Sequence, residues 1–234
     1  MKDLTAIGLM SGTSMDGIDT AIIKTDGNNL TDYKFSISAD YRKETLKMLS
    51  YFSNKFDFRH LDKSLIEEAN TLITYDHFFA VDKILQKSSL KSDIIGFHGQ
   101  TIYHNPEKGI SIQLGDGNLL AKLTKTPVVF EFRKDDLLNN GQGAPLAPIF
   151  HKHLIKKLQI PLPCCFLNIG GVANITYFDK AELIGFDTGP GNGLIDLYMK
   201  NNFSKTFDYN GEYASKGKAN FEIIKKLLNN KFFK

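Results

Sequence analysis

The sequence has few of the features that mark secreted, membrane or nucleic-acid-binding proteins. No apolar run approaches the roughly 20 residues that a membrane-spanning helix needs, and the start of the chain has no signal-peptide pattern. The only cysteines, Cys164 and Cys165, are neighbours, which predicts two buried thiols in a reducing, cytoplasmic compartment. The net charge of +3 is small, and the basic residues form no stripe with interleaved aromatics. We therefore expect neither a nucleic-acid partner nor a membrane partner.

The spacing of the histidines also argues against a zinc site. His98 and His104 lie close together in sequence, as do His151 and His153. Neither pair is accompanied by cysteines or paired carboxylates at metal-ligand spacing. The sequence thus predicts no zinc, and it leaves the ligands of any other metal unknown.

Composition and length indicate a globular protein with two lobes. The chain has 234 residues, of which 42% are hydrophobic and 24% charged, close to averages for globular proteins. This length corresponds to roughly one and a half ordinary domains. Residues 139–145 are the richest cluster of glycine, asparagine and proline, so we expect a lobe boundary there, with lobes at residues 1–138 and 139–234.

A glycine-rich turn follows the first apolar run, Leu4 to Leu9, and a second apolar run, residues 21–23, follows the turn. This pattern predicts a strand–turn–strand hairpin. Glycines let backbone amides turn toward one anion, hydroxyls add donors, and carboxylates beside a phosphate suit a metal ion or its water. An ordinary Gly/Ser turn and a phosphate-binding tip both stay open. The residues concerned are Gly12, Thr13, Ser14, Asp16, Gly17 and Asp19.

The second half of the chain repeats this design. A predicted strand at 164–169 leads to a glycine turn at 170–174 and a return strand at 175–178. A third glycine-rich segment, 184–193, leads into a helix at 194–199. Two such hairpins predict a fold built by duplication, with phosphates held between facing turns.

The segments between the hairpins predict an α/β arrangement. A third strand is expected at 34–38, and helices at 44–52 and 60–86, the latter with Leu65, Ala69 and Phe79 near its apolar face. A buried strand at 93–97 is expected to end before His98, where ligands collect in such sheets. Further elements are predicted at 110–114 (strand), 118–124 (helix), 127–132 (strand, ending at Arg133) and 146–158 (helix).

Six segments resemble, in the same order, the signatures of 1,6-anhydro-N-acetylmuramic acid kinases. These are residues 8–17 (GLMSGTSMDG), 96–101 (GFHGQT), 113–117 (QLGDG), 141–146 (GQGAPL), 168–174 (NIGGVAN) and 186–192 (FDTGPGN). The resemblance implies an actin-like, ribonuclease H-like fold of two lobes with ATP and Mg²⁺ in the cleft. It also implies a reaction of peptidoglycan recycling, in which ATP phosphorylates O6 of the sugar while water opens the 1,6-anhydro ring.

The resemblance implies site residues as well. Asp187 matches the base that activates water; its carboxylate is ionised at neutral pH, although an aspartate here could instead cap the next helix. Arg133, one of three arginines, offers a fixed fork for the substrate's carboxylate or for a phosphoryl group, with a surface salt bridge as the alternative. The expected substrate contacts are Gln100, Thr101, Arg133, Gly189 and Asn192. The expected ATP contacts are Gly12, Thr13, Ser14, Met15, Asp16, Gly17, Ile18, Asp19, Gly170, Gly171 and Asn174.

The chain departs from the family pattern in two ways. Glu131 stands where the family usually has aspartate, and Asn139–Asn140 replaces small residues; either change can shift the loop that carries Arg133. The chain is also shorter than the family, so we expect an incomplete second lobe with exposed apolar surface. A truncated remnant that binds weakly without turnover, and an actin-like phosphotransferase for another sugar, stay open as alternatives. A homodimer also stays open.

Overall fold

The computed structural model describes residues 3–12, 15, 17–53 and 62–230. It divides into two compact units, residues 1–159 and 160–234. The first compact unit continues through residue 159, beyond the lobe boundary predicted after residue 138. Whether the two lobes divide at residue 138 stays a prediction. Within the described ranges, no helix is both long enough and apolar enough to cross a bilayer.

The first unit is organised around a mixed sheet, whose strands are β1 (Leu4–Ser11), β2 (Ile18–Thr25), β3 (Leu30–Ala39), β4 (Ile94–Asn105), β5 (Ile110–Leu114) and β6 (Val128–Phe130). The strand order is β3-β2-β1-β4-β5, and β6 also pairs with β4. Strand β2 runs antiparallel to β1 and β3, whereas β4 is parallel to β1 and β6 is parallel to β4. This arrangement confirms the predicted α/β class.

Helices cover this sheet and close its core. The long helix α2 (Lys63–Ser88) places Ile73 and Ile84 against the sheet residues Ile7, Ile22 and Ile95, all of them buried in one apolar cluster. Asp62 caps α2 by accepting from the Ser64 amide. The helices of this unit are α1 (Lys43–Ser53), α2 (Lys63–Ser88), α3 (Gly117–Thr124), α4 (Phe132–Leu138) and α5 (Ala147–Leu158).

The second unit begins with an antiparallel sheet of order β7-β8-β9. Its elements are β7 (Cys164–Ile169), β8 (Val172–Phe178), β9 (Leu183–Pro190), α6 (Gly193–Phe203) and α7 (Phe221–Leu228). Three antiparallel strands followed by a helix also open the first unit, which agrees with the predicted duplication. Much apolar surface is exposed, as expected: Phe186 is 50% exposed and Leu197 is 54% exposed.

Several element boundaries differ from the predictions. Strand β4 continues to Asn105, so Gln100 and Thr101 lie inside the strand rather than beyond its end. Arg133 lies in α4, because β6 stops at Phe130 and Glu131 has a left-handed backbone (φ 64°) that starts the helix. The expected burial of both thiols is wrong: Cys165 is exposed and Cys164 half-buried. Adjacent strand residues face opposite sides of a sheet, so one buried face cannot take both.

Candidate functional site

The first glycine turn joins β1 to β2. The Met15 amide donates to the Gly12 carbonyl at 3.1 Å, and Met15 itself has φ 57°. A Cβ on Gly17 would lie 2.8 Å from the Ala39 carbonyl oxygen, and φ at Gly17 is 151°, so this position requires glycine. The predicted contacts Thr13, Ser14 and Asp16 lie outside the described residues.

The two predicted ATP contacts after the turn lie at the start of β2 and face opposite ways. The Ile18 side chain is fully buried in the core, so only its backbone is available to a ligand. Asp19 is exposed, and its Oδ1 accepts a hydrogen bond of 2.6 Å from the Ser38 hydroxyl. Asp19 and Ser38 also line an open cavity of about 700 Å³ on this face of the sheet, beside Met10 and Phe132.

Gln100 lies beneath the first turn. Its side chain is 0% exposed, and its Nε2 donates to the Gly12 carbonyl at 2.8 Å. Its Oε1 accepts from the Tyr41 hydroxyl at 2.9 Å. Thr101, 4% exposed, accepts from Gln113 Nε2 at 3.2 Å. The structure therefore shows Gln100 supporting the turn from within, and a role of either residue as a sugar contact stays a prediction.

A buried histidine lies next to the same strand ends. His77 on α2 has Nδ1 2.8 Å from the Ile73 carbonyl oxygen and Nε2 3.4 Å from Ser11 Oγ. The Ser11 hydroxyl donates to the Gly99 carbonyl at 2.9 Å. Burial lowers the pKa of His77 to about 4, so the ring is neutral at neutral pH. Its hydrogen bonds make it a satisfied histidine of the scaffold.

Arg133 is held by two different segments of the first unit. Its Nε donates to His98 Nε2 at 2.8 Å, and its Nη1 donates to the Gly143 carbonyl at 2.9 Å. The Gly143 amide in turn donates to Asp136 Oδ2 at 2.7 Å. The guanidinium thus has a defined orientation at the junction of β4, α4 and the glycine-rich segment 141–143.

The second glycine turn lies between β7 and β8. Its tip consists of Gly170 and Gly171, and Asn174 lies inside β8 instead of in the turn. The Asn192 amide donates to the Gly170 carbonyl at 2.7 Å, and the Gly191 amide donates to the Gly171 carbonyl at 3.1 Å. A Cβ on Gly191 would lie 2.1 Å from the Gly170 oxygen, so this close backbone contact requires glycine.

Asp187 lies on β9 and its side chain is exposed. It is opposite Asn174 on β8, which is opposite Asn168 on β7. Paired residues share a face of the sheet, so three polar side chains form a row across the three strands. The register shifts beside Asp187, leaving Thr188 as the extra residue of a β-bulge whose hydroxyl bonds the Ala173 carbonyl at 3.2 Å. Bulges of this kind often re-aim side chains at active sites.

The alternative role of Asp187 as a helix cap does not match its position. The residue that precedes helix α6 is Asn192, five positions after Asp187. The Asn192 side chain makes no capping hydrogen bond to the helix. Asn192 is exposed and its Nδ2 donates to the Ile169 carbonyl at 3.3 Å, whereas Gly189 is buried in β9. Asp187 therefore presents a carboxylate from the sheet itself.

Sequence reasoning missed the roles of two residues in the first unit, Tyr41 and His98. Tyr41 gave no motif signal, and its contact with Gln100 depends on a partner 59 positions away. His98 was considered as a metal ligand and as a residue at a strand end, and its hydrogen bond from Arg133 was not foreseen. Among the residues that the structure describes, no group of three or more histidine, cysteine, aspartate or glutamate side chains could hold a metal ion.

Comparison with known proteins identifies the family. The family model described as anhydro-N-acetylmuramic acid kinase matches residues 4–234. The chain belongs to this family. Kinases named anhydro-N-acetylmuramic acid kinase from Pelagibacter ubique and Rhizobium johnstonii are 41% and 39% identical to it, each over 98% of this chain.

The chain spans less than two thirds of the length of these relatives: 63% of the Pelagibacter ubique kinase and 64% of the Rhizobium johnstonii kinase. Among solved structures, an exopolyphosphatase-like protein matches with a TM-score of 0.45 and 10% identity, covering 86% of this chain and 55% of that one. The six segments that resemble signatures of the anhydro-N-acetylmuramic acid kinase family lie within the matched residues 4–234.

Proposed function

We propose that this protein phosphorylates O6 of 1,6-anhydro-N-acetylmuramic acid with ATP while water opens the anhydro ring, giving N-acetylmuramate 6-phosphate and ADP. The family match over residues 4–234 supports this reaction. The observation that carries it is the exposed Asp187 carboxylate on β9, beside a bulge and opposite Asn174. This placement suits a base that must reach water and substrate.

Asp187 would act as the general base. Its carboxylate accepts a proton from the water whose oxygen forms the new bond to the anomeric carbon. The bond between that carbon and O6 breaks, and O6 is the oxygen that becomes phosphorylated. A positioned base of this kind typically contributes about 10²- to 10⁴-fold to the rate.

Residues 12–19 and Gly170, Gly171 and Asn174 would bind ATP, which supplies the phosphoryl group when bound. The first turn is suited to a phosphate, because glycine at position 17 (φ 151°) allows a backbone conformation in which amides of the turn can face an anion. The space beyond Gly171 is open, with no atom within 4 Å of where a Cβ would be. We infer Mg²⁺ as the accompanying ion, because it prefers oxygen ligands such as the exposed Asp19 carboxylate. That both turns bind one triphosphate stays a prediction.

We assign the substrate's carboxylate to Arg133, whose guanidinium is oriented by two hydrogen bonds. A planar fork of donors matches a carboxylate better than an ammonium group does. Gly189 and Asn192 lie near Asp187 along the chain and remain proposed sugar contacts, as do Gln100 and Thr101. Of these last two, Gln100 already uses both ends of its amide inside the first unit.

We place the reaction in the cytoplasm, as a step of peptidoglycan recycling, with the anhydro sugar as a small-molecule partner. We propose no nucleic-acid partner, because the basic residues form no stripe with interleaved aromatics. Association of two copies stays a prediction, which sedimentation velocity measures directly.

Replacement of Asp187 by asparagine tests the proposal, with Asp196→Asn on α6 as the matched control. Turnover is followed by coupled ADP release, and the product is identified by mass spectrometry. We expect Asp187→Asn to lower kcat by about 10²- to 10⁴-fold and the control to stay near wild type.

Unchanged turnover in Asp187→Asn would contradict the role of the base. A thermal-shift titration with ATP–Mg²⁺ separates binding from catalysis, because a ligand at a hundredfold excess over Kd stabilises the folded state by about 2.7 kcal/mol. A wild-type chain that neither binds ATP nor releases ADP would contradict the proposed function.

A further inference from the structure

We propose that His98 is a positioning residue, whose neutral imidazole accepts a hydrogen bond from Arg133 and fixes the guanidinium in the orientation that binds the anionic group of the substrate. This inference rests on the proposed function, since it takes Arg133 as a substrate contact. It adds a role for His98 that follows from the hydrogen-bond geometry around its ring.

The hydrogen bonds of His98 define which of its nitrogens carries the proton. Nδ1 lies 2.7 Å from the Gly99 carbonyl oxygen, which can only accept, so Nδ1 is the donor. The lone pair of a neutral ring is then on Nε2. Arg133 Nε lies 2.8 Å from Nε2 and has only a proton to give. The two contacts therefore require a single tautomer.

The surroundings of His98 favour this neutral ring. Burial, and next the charge of Arg133, lower the pKa of His98 to about 4 from its ordinary 6.5. The hydrogen bond to Gly99 opposes this effect but is the smallest of the three causes. A protonated imidazole would present an N–H and a positive charge to Arg133, so it could not form the observed contact.

A histidine partner differs chemically from a carboxylate partner at this position. A carboxylate would accept the same Nε proton but would also compensate the positive charge of the guanidinium. The neutral imidazole orients Arg133 without compensating its charge at this contact. An arginine oriented in this way is suited to binding an anion such as the carboxylate of a muramic acid.

The second hydrogen bond of Arg133 comes from a separate segment. Nη1 donates to the Gly143 carbonyl at 2.9 Å, and the Gly143 amide is held by Asp136 at 2.7 Å. One bond therefore comes from β4 and the other from the segment after α4. With His98 removed, the guanidinium keeps the Gly143 bond but loses the contact that fixes its Nε edge.

Steady-state kinetics with His98→Asn and His98→Gln test the proposal. The longer glutamine amide can place an acceptor near the position of Nε2, whereas asparagine reaches only toward Nδ1. We expect His98→Asn to raise KM for the anhydro sugar by about 10- to 100-fold, the range for a hydrogen bond to a charged group. We expect His98→Gln to recover most of this loss, and KM for ATP to stay unchanged in both variants.

A double-mutant cycle with Arg133→Ala provides the specificity control. If His98 acts through Arg133, His98→Asn has little further effect once the guanidinium is absent. An equal loss in both backgrounds, or an equal rise in KM for ATP, would overturn the proposal.

Nitrogen-15 NMR of the histidine rings separates this inference from the proposed function, because it needs no turnover. We expect the His98 signal, assigned by its loss in His98→Gln, to show a protonated Nδ1 at pH 7 and a pKa near 4 that rises in Arg133→Ala. A ring protonated on Nε2 would overturn the positioning role even in an active enzyme. An inactive wild-type chain with the expected NMR signature would overturn only the proposed reaction.

Discussion

Acidification should destabilise the first unit through His77. This ring is fully buried, with its Nδ1 bonded to the Ile73 carbonyl and its edge packed against Phe97 at a centroid distance of 4.9 Å. Burial lowers its pKa from 6.5 to about 4, against the opposing effects of the Ile73 bond and the Asp76 charge. Protonation is therefore much less favourable in the folded protein than in the unfolded chain.

The sign and size of the effect follow from linkage. Between pH 6.5 and about 4 the unfolded chain binds a proton at this residue that the folded protein does not bind. The contribution to stability is thus complete above pH 6.5 and is lost as the pH falls toward 4. The difference in pKa corresponds to about 3 kcal/mol of unfolding free energy, of which about 2 kcal/mol is lost between pH 7 and pH 4.5.

Urea unfolding followed by circular dichroism at pH 7, 6, 5 and 4.5 measures this loss. The comparison is with His77→Phe, and with His77→Gln in case the phenylalanine variant does not fold. Because His98 and the carboxylates titrate in all three proteins, their effects cancel in the difference. We expect the wild type to lose about 2 kcal/mol more than either variant over this range. Parallel pH profiles would refute the reasoning that burial keeps His77 neutral.

Three further substitutions test the packing and hydrogen bonding of the first unit. Gly117→Ala would place a Cβ 2.3 Å from Phe130 Cδ1, and we expect a loss of about 1–3 kcal/mol in urea unfolding, whereas Gly8→Ala, with nothing within 4 Å, should be nearly neutral. Equal midpoints for the two variants would contradict this packing. Tyr41→Phe removes the hydroxyl that donates to Gln100 Oε1 and should cost about 1–3 kcal/mol of stability, because a buried acceptor loses its donor. A Tyr41→Phe variant as stable as wild type would show that water replaces this bond.

Local patterns in the sequence were sufficient for the hairpins. The strand predicted at 164–169 matches β7 at both ends, and the glycine turns occur where two apolar runs are joined. Helix α2 was also predicted, but Phe79, placed on its apolar face, is 49% exposed, while Asp76 and His77 are buried. The helical periodicity of apolar residues could not reveal the burial of Asp76, because that burial accompanies an ion pair with Arg42.

The parts of the site that depend on distant partners could not be predicted. Gln100 was expected as a sugar contact at a strand end, yet its side chain is buried because β4 continues past it and Gly12 and Tyr41 bond its amide. The partner of His98 comes from a helix 35 positions away. Asp187 could be singled out from its motif, but the bulge at Thr188 depends on the register of β8 against β9.

The pairing of β1 with β4 has a consequence for the order of folding. The meander of β1, β2 and β3 joins neighbours in the chain, but the bonds from Ser11 to Gly99 and from Gln100 to Gly12 each span 88 positions. Closing so long a loop is slow, since its entropy must be lost before any contact forms. The support beneath the first glycine turn should therefore form late during refolding, after the hairpin that carries the turn.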